Sequence, residues 1–193
     1  MNKAIFFDRD GTLNYDPGYL GDPDKVELYD YVPEGIADLQ NKYGFKIIVI
    51  SNQSGISRGL ISADDVDNVN SKINDIIKAK GGEVDEFYYC PYHPEFSEPE
   101  KCNCRKPSPE LVFKAAKDFN IDLSKSYFVG DSECDIECGN NAGVKTVLVK
   151  TKLSEVEINE LQNNGKSITF VAVDFREVCT FIIDDIQEEF FEK

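Results

Sequence analysis

Basic residues are scarce in this sequence: 21 Lys and Arg stand against 36 Asp and Glu in 193 residues, a formal net charge of −15. A nucleic-acid or anionic-membrane partner needs a basic face that displaces counterions from phosphates, and the overall field here points the other way. What survives is a local basic cluster holding one small anion. Long apolar runs are missing as well, and none approaches the ~20 residues of a membrane helix. The run Ala4-Ile5-Phe6-Phe7 behind Met1-Asn2-Lys3 is too short for a secretory signal. A cytoplasmic protein is expected, with its six cysteines reduced rather than paired. Internal repeats, low-complexity tracts and long Pro/Gly linkers are absent too, so one domain over residues 1–193 is expected, and the lack of long apolar stripes points to a monomer. Disorder is excluded, because 41% of the residues are hydrophobic, and a chain of this length buries roughly 70% of its unfolded surface.

Periodicity supplies the architecture. Residues 3–7 and 46–50 are short apolar runs that stop at the polar loops Asp8-Arg9-Asp10-Gly11-Thr12 and Ser51-Asn52-Gln53-Ser54-Gly55, the pattern of buried strands. Between them Ile36, Leu39, Gln40 and Tyr43 keep helical spacing after Pro33, with Gly44 as the stop. A helix over residues 62–80 follows, capped by Ser62, then a strand over 84–89, a helix over 109–119 and a strand at 127–129 ending in Gly130-Asp131. Strands at 144–149 and 168–173 and a closing helix at 175–190 complete the alternation. Strands alternating with helices specify an α/β fold, a Rossmann-like parallel sheet flanked by helices on both faces. Its site lies beyond the carboxyl ends of the strands, where these polar loops fall.

Asp8 ends an apolar strand, at the edge of a core where a carboxylate is strongly desolvated unless a cation is near. As a turn-former beside Gly11 it needs no chemistry; as chemistry it is a nucleophile or metal ligand, with Asp10 an acid and base beside it. The two-residue spacing can bring both to one cavity, and Gly11 lets the backbone turn sharply. Asp131 and Asp135 follow another strand end. Two acidic strand ends in one parallel sheet make an oxygen-rich site suited to Mg²⁺. Lys106 with Arg105 supplies opposing charge, and Ser51-Asn52 supply donors. Together they form the equipment of phosphoryl transfer.

Asp8-Arg9-Asp10-Gly11-Thr12-Leu13, with Ser51, Lys106 and Gly130-Asp131 in that order after successive strands, resembles the haloacid dehalogenase superfamily of phosphohydrolases over residues 3 to about 150. The segments 51–59 and 102–107 resemble its branch of sugar and histidinol phosphate phosphatases. The resemblance implies a haloacid dehalogenase-like fold without a large cap domain. It implies that Asp8 attacks phosphorus to give an aspartyl-phosphate and that Asp10 protonates the leaving oxygen and then deprotonates water. Mg²⁺ would be held by Asp8, Asp131 and the backbone carbonyl of Asp10. Ser51 and Lys106 would steady the phosphoryl oxygens, and Arg105 would grip the rest of the substrate. Asn52, Gln53 and Ser54, and Asp16, Gly18 and Tyr19, fall where the family binds substrate. Arg58 could reach a distal phosphate or be a solvated loop arginine. The substrate implied is a phosphorylated seven-carbon sugar, ahead of histidinol phosphate, because the chain carries no second catalytic domain and shares the 53–59 loop closely with the sugar branch. A zinc-stabilised binding module that has kept the fold without catalysis is the alternative of another class.

Cys90, His93, Cys102 and Cys104 lie in a Pro-rich loop without helical or strand periodicity and read as a closed tetrahedral structural Zn²⁺ site. Reduced cysteines filling small gaps are the plain alternative. The family pattern places a histidine where this chain has Tyr92, so a shifted loop must bring in His93; otherwise three cysteines bind with water, or the site is empty. Zinc here would hold Arg105 and Lys106 toward the phosphate. Cys134, Cys138 and Cys179 have no ligand set and are expected as small buried side chains. The acidic pairs Asp64-Asp65, Asp184-Asp185 and Glu188-Glu189 read as solvated helix faces, and Tyr88-Tyr89 and Phe190-Phe191 as packing residues.

Overall fold

A computed structural model of the chain describes residues 1–191. The strands are β1 (Lys3–Phe7), β2 (Phe45–Asn52), β3 (Glu86–Cys90), β4 (Tyr127–Gly130), β5 (Lys145–Val149) and β6 (Phe170–Ala172). The helices are α1 (Val32–Asn41), α2 (Ala63–Lys78), α3 (Glu110–Asp118), α4 (Glu133–Ala142), α5 (Glu155–Asn163) and α6 (Phe175–Phe191). All six strands are parallel, in the order β3-β2-β1-β4-β5-β6. The order reverses between β1 and β4, so both strands end at the crevice where such sheets bind ligands.

Alternation along each strand sends side chains to two cores. Ile5 and Phe7 of β1, with Phe45, Ile47 and Val49 of β2, pack against Ile36 and Leu39 of α1, Val69 and Ile73 of α2 and Val178 and Ile182 of α6. Ala4 and Phe6, with Ile48 and Ile50, pack on the other face against Leu111, Val112 and Ala115 of α3 and Cys138 of α4. Burying each such Ile or Phe stabilises the fold by about 1.5–3 kcal/mol. Strands apolar on both faces can only be central, which is why β1 and β2 read as continuous runs.

The expected elements are all present within a few residues. Ser62 caps α2 as expected: its hydroxyl accepts from Asp65 N, and the Asp65 carboxylate accepts from Ser62 N. Helix α5 was not expected. It buries only Ile158 and Leu161, too sparse an apolar stripe to show periodicity. Asp185 departs from a solvated helix face, for its carboxylate accepts from Tyr127 Oη and lies 2.5 Å from Lys145 Nζ. Tyr88 is packed as expected, with its hydroxyl on Asp118 at 2.8 Å. The side chains of Glu189 and of the Phe190-Phe191 pair lie outside the described residues. Among the described residues, no helix is long and apolar enough to cross a membrane.

Candidate active site

The loop after β1 starts in register with the sheet, as Asp8 N donates to Val129 O of β4 at 2.9 Å. It then folds tightly on itself, with Arg9 O accepting from Leu13 N at 2.9 Å and Asn14 N at 3.2 Å. Gly11 makes this possible. Its φ is +89°, and a Cβ there would lie 2.0 Å from Asp131 Oδ2, so only glycine lets the loop rest against the end of β4.

Ligand oxygens of Asp8, Asp131 and Asp135 lie within 4.8 Å of one another. Lys106, buried, enters from the far loop: its Nζ is 2.6 Å from Asp8 Oδ1, 2.6 Å from Asp135 Oδ1 and 2.8 Å from the Ile50 carbonyl. Burial pushes the Asp8 carboxyl up to about 7 against the pull of Lys106. It pushes Asp131 up to about 6, with help from Asp135. Burial also disfavours the Lys106 ammonium, but Asp135 and Asp8 outweigh it and move that group well above the ordinary lysine range. Three carboxylates, Asp131 and Asp135 buried and Asp8 half-buried, against the one buried ammonium of Lys106 leave negative charge at the base of the site. These oxygen donors fit a hard divalent cation, which would neutralise them.

Asp10 faces a different set of partners. Its carboxylate accepts from Arg9 Nη2 at 2.9 Å, Asn14 Nδ2 at 2.9 Å and Gln53 Nε2 at 2.9 Å. Arg9 is fully buried and reaches across to Asn70 Oδ1 of α2 at 3.0 Å, so Arg9 pins the first loop to the second helix while holding Asp10. Gln53 also donates to Ser51 Oγ at 3.3 Å. Asn52 grips the backbone of Lys106 from both sides, accepting from Lys106 N at 3.0 Å and donating to Lys106 O at 3.2 Å. Much of its hydrogen bonding therefore positions the lysine.

A cavity of about 400 Å³ opens over these groups. Asp8, Asp10, Asp131, Arg105 and Lys106 line it, as do Asn52, Gln53 and Ser54 and the loop residues Asp16, Gly18 and Tyr19. Of the residues expected to bind substrate, only Ser51 is not at its wall; it is buried directly behind Gln53. Arg58 lies elsewhere, neither at the cavity nor a plain solvated arginine: its guanidinium stacks on Phe96 at 4.5 Å and meets His93 Nε2 at 3.2 Å. Three cavity residues had no assigned role, Ser132, Cys134 and Lys152, whereas Asp135 joins Asp131 in the acidic cluster as expected. Lys152 was visible as a cation in the loop that ends β5. Cys134 lines the cavity, with Sγ 3.3 Å from Ser132 Oγ, whereas Cys138 and Cys179 are buried as expected.

The zinc site is corrected. Cys90 and Cys104 are joined in a disulfide, so neither offers a thiolate. His93 is turned to Arg58 through Nε2, and its Nδ1 accepts from Glu95 N at 3.2 Å. Cys102 alone remains a free thiol in that loop. The bond also overturns the expectation that all six cysteines are reduced. The tether it makes, from the end of β3 to the residue before Arg105, is the restraint that zinc was expected to provide.

A "HAD-hyrolase-like" family model matches residues 103–178. A D-glycero-D-manno-heptose-1,7-bisphosphate 7-phosphatase of Chlorobaculum tepidum is 41% identical over 167 residues, covering 82% of this chain and 83% of the relative. A D-glycero-beta-D-manno-heptose-1,7-bisphosphate 7-phosphatase of Pasteurella multocida is 39% identical, covering 85% of this chain and 90% of the relative. The crystal structure of D,D-heptose 1,7-bisphosphate phosphatase from B. bronchiseptica, complexed with magnesium and phosphate, superposes with a TM-score of 0.81 at 29% identity, covering 95% of this chain and 99% of that one. The Rossmann-like sheet with acidic loops after β1 and β4 is the scaffold of a haloacid dehalogenase-like hydrolase. Within that superfamily the chain belongs to the family of the D-glycero-D-manno-heptose 1,7-bisphosphate phosphatases, and it is a phosphoric monoester hydrolase.

Proposed function

We propose that the protein removes the C7 phosphate of D-glycero-D-manno-heptose 1,7-bisphosphate, with Mg²⁺, through an aspartyl-phosphate on Asp8. The observation that carries the chemistry is the convergence of Asp8, Asp131 and Asp135 beside the Lys106 ammonium at the base of one cavity. The substrate rests on the two relatives, whose names state this activity. Magnesium draws support from the B. bronchiseptica structure.

Asp8, Asp131 and the Asp10 backbone carbonyl would hold Mg²⁺, with Asp135 the third carboxylate of the cluster. When bound, the ion supplies positive charge against the phosphoryl oxygens. In the first step an Asp8 oxygen attacks phosphorus, the bond from phosphorus to the sugar oxygen breaks, and Asp10 gives that oxygen a proton. In the second step water loses a proton to Asp10 and attacks phosphorus, and the Asp8–phosphorus bond breaks to release inorganic phosphate. Both halves need Asp10 in one orientation, which the bonds from Arg9, Asn14 and Gln53 maintain. Lys106 steadies the transferring phosphoryl group, Ser51 acts from behind by holding the Gln53 amide that reaches Asp10, and Arg105 and the 16–19 loop hold the sugar. Asp8, Asp10, Asp131 and Lys106 lining one cavity support hydrolysis over a non-catalytic binding module.

The test is phosphate release from heptose 1,7-bisphosphate and from histidinol phosphate, each with Mg²⁺ and with a chelator. Faster, Mg²⁺-dependent turnover of the heptose substrate is expected. Faster histidinol phosphate hydrolysis would overturn the substrate, and undiminished activity in chelator would overturn the ion.

A further inference from the structure

Lys152 is the one cation at the cavity without a part in the steps above. It follows β5, and its side chain is 56% exposed at the rim. Its Nζ lies 3.8 Å from Asp131 Oδ2 and 3.9 Å from Asp16 Oδ2. Both separations exceed hydrogen-bond reach, so two carboxylates from different loops hold the ammonium without saturating its three donors. The other two cations are placed differently. Lys106 is buried among Asp8, Asp135 and the Ile50 carbonyl, and Arg105 donates to the Tyr92 carbonyl at 3.3 Å.

The rest of the charged lining is acidic: Asp8, Asp10, Asp16, Asp131 and Asp135. A single phosphate seated at Asp8 and Lys106 finds its compensation there. With Arg105 turned to the Tyr92 carbonyl and the sugar, a second phosphate at the Asp16–Asp131 side of the cavity would face carboxylates unless a further cation met it there. We propose that Lys152 binds the substrate's second, unreactive phosphate and so distinguishes a sugar bisphosphate from a sugar monophosphate. This deepens the reading of the chain as a sugar bisphosphate phosphatase and rests on it. The geometry suits the task. A half-exposed ammonium gives up little hydration, its flexible stem can follow the ligand, and a phosphate offers more charge and more acceptors than either carboxylate now beside it. Asp16 keeps the lysine at the rim between turnovers.

A lysine that merely neutralised Asp131 would affect every substrate alike, and this separates the two roles. Lys152→Gln and Lys152→Arg in the full chain with Mg²⁺ are compared with the parent, with thermal melting to confirm folding. The substrates are heptose 1,7-bisphosphate, fructose 1,6-bisphosphate, heptose 7-phosphate and p-nitrophenyl phosphate. Lys152→Gln is expected to raise KM for bisphosphates by about 10- to 100-fold, the worth of one charge-assisted pair. Neither their kcat nor either parameter for the monophosphates should move by more than about 2-fold, and Lys152→Arg should restore most of the loss. An equal loss on bisphosphates and monophosphates, or no loss on either, overturns the assignment. A parent enzyme that hydrolyses fructose 1,6-bisphosphate but not the heptose substrate refutes the heptose assignment alone and leaves the Lys152 comparison intact. One that accepts only monophosphates refutes both.

Discussion

The Lys106 ammonium sits 2.6 Å from the Asp8 carboxylate, although 98 residues separate them in the chain. The same ammonium contacts Asp135 at 2.6 Å, so one buried lysine holds a half-buried and a buried carboxylate together at the end of β1. Removing it leaves both without their cation. Lys106→Met is expected to cost about 3–5 kcal/mol of stability, the penalty of a broken buried pair, and to lower kcat by about 10²- to 10³-fold through lost phosphoryl stabilisation. Urea denaturation and steady-state kinetics read the two effects. A variant as stable as the parent would show that the pair is not structural.

Asp8→Asn keeps the shape of the side chain and removes one buried charge. Hydrolysis should fall by at least about three orders of magnitude, as when a covalent nucleophile is lost. Metal-free stability should rise, because desolvation and the neighbouring Asp135 and Asp131 all work against the Asp8 carboxylate in the fold. Unchanged turnover would eliminate the covalent route.

Burial raises the Asp8 carboxyl from 3.8 to about 7 and that of Asp131 from 3.8 to about 6. The folded chain therefore binds more protons than the unfolded chain between these values. Metal-free stability contributed by the two groups is present at low pH and is lost as pH rises toward about 7. A divalent cation needs the deprotonated carboxylates, so the rise in Tm caused by Mg²⁺ should be larger at about pH 8 than at about pH 5. Thermal scans with and without Mg²⁺ check this, and equal shifts at the two pH values would refute it.

Gly11→Ala tests the contact between the two acidic loops. The residue has a φ of +89°, and the new Cβ would stand 2.0 Å from Asp131 Oδ2. Left-handed backbone with a side chain costs about 1–2 kcal/mol, and Asp131 must move as well. Mg²⁺ affinity, read by titration calorimetry, should weaken by about 10- to 100-fold, as when the support of a metal ligand is lost. Unaltered affinity would mean that Asp131 is not a ligand.

The parts of the site legible in the sequence share one property: each is announced by its own strand. Asp8 and Asp131 follow apolar runs whose direction is fixed by a parallel sheet, so the end at which they emerge is known before the fold is. Helix α5, by contrast, buries two residues and left no periodic trace. The Cys90–Cys104 bond was misread because thiols at these spacings suit a metal or a disulfide equally well. Only the path of the loop, with His93 turned to Arg58, separates the two.

The amino-acid sequence by itself determined the alternating α/β plan, the acidic strand ends and the phosphatase motif, because local periodicity and burial act over a few residues. Tertiary structure alone decided which side chains meet. It placed Lys106 between Asp8 and Asp135, turned Arg9 inward onto Asp10, and brought Lys152 to the rim beside Asp16 and Asp131. Those meetings follow from strand order and loop closure, and charge interactions across a cavity depend on distance in space rather than on separation along the chain.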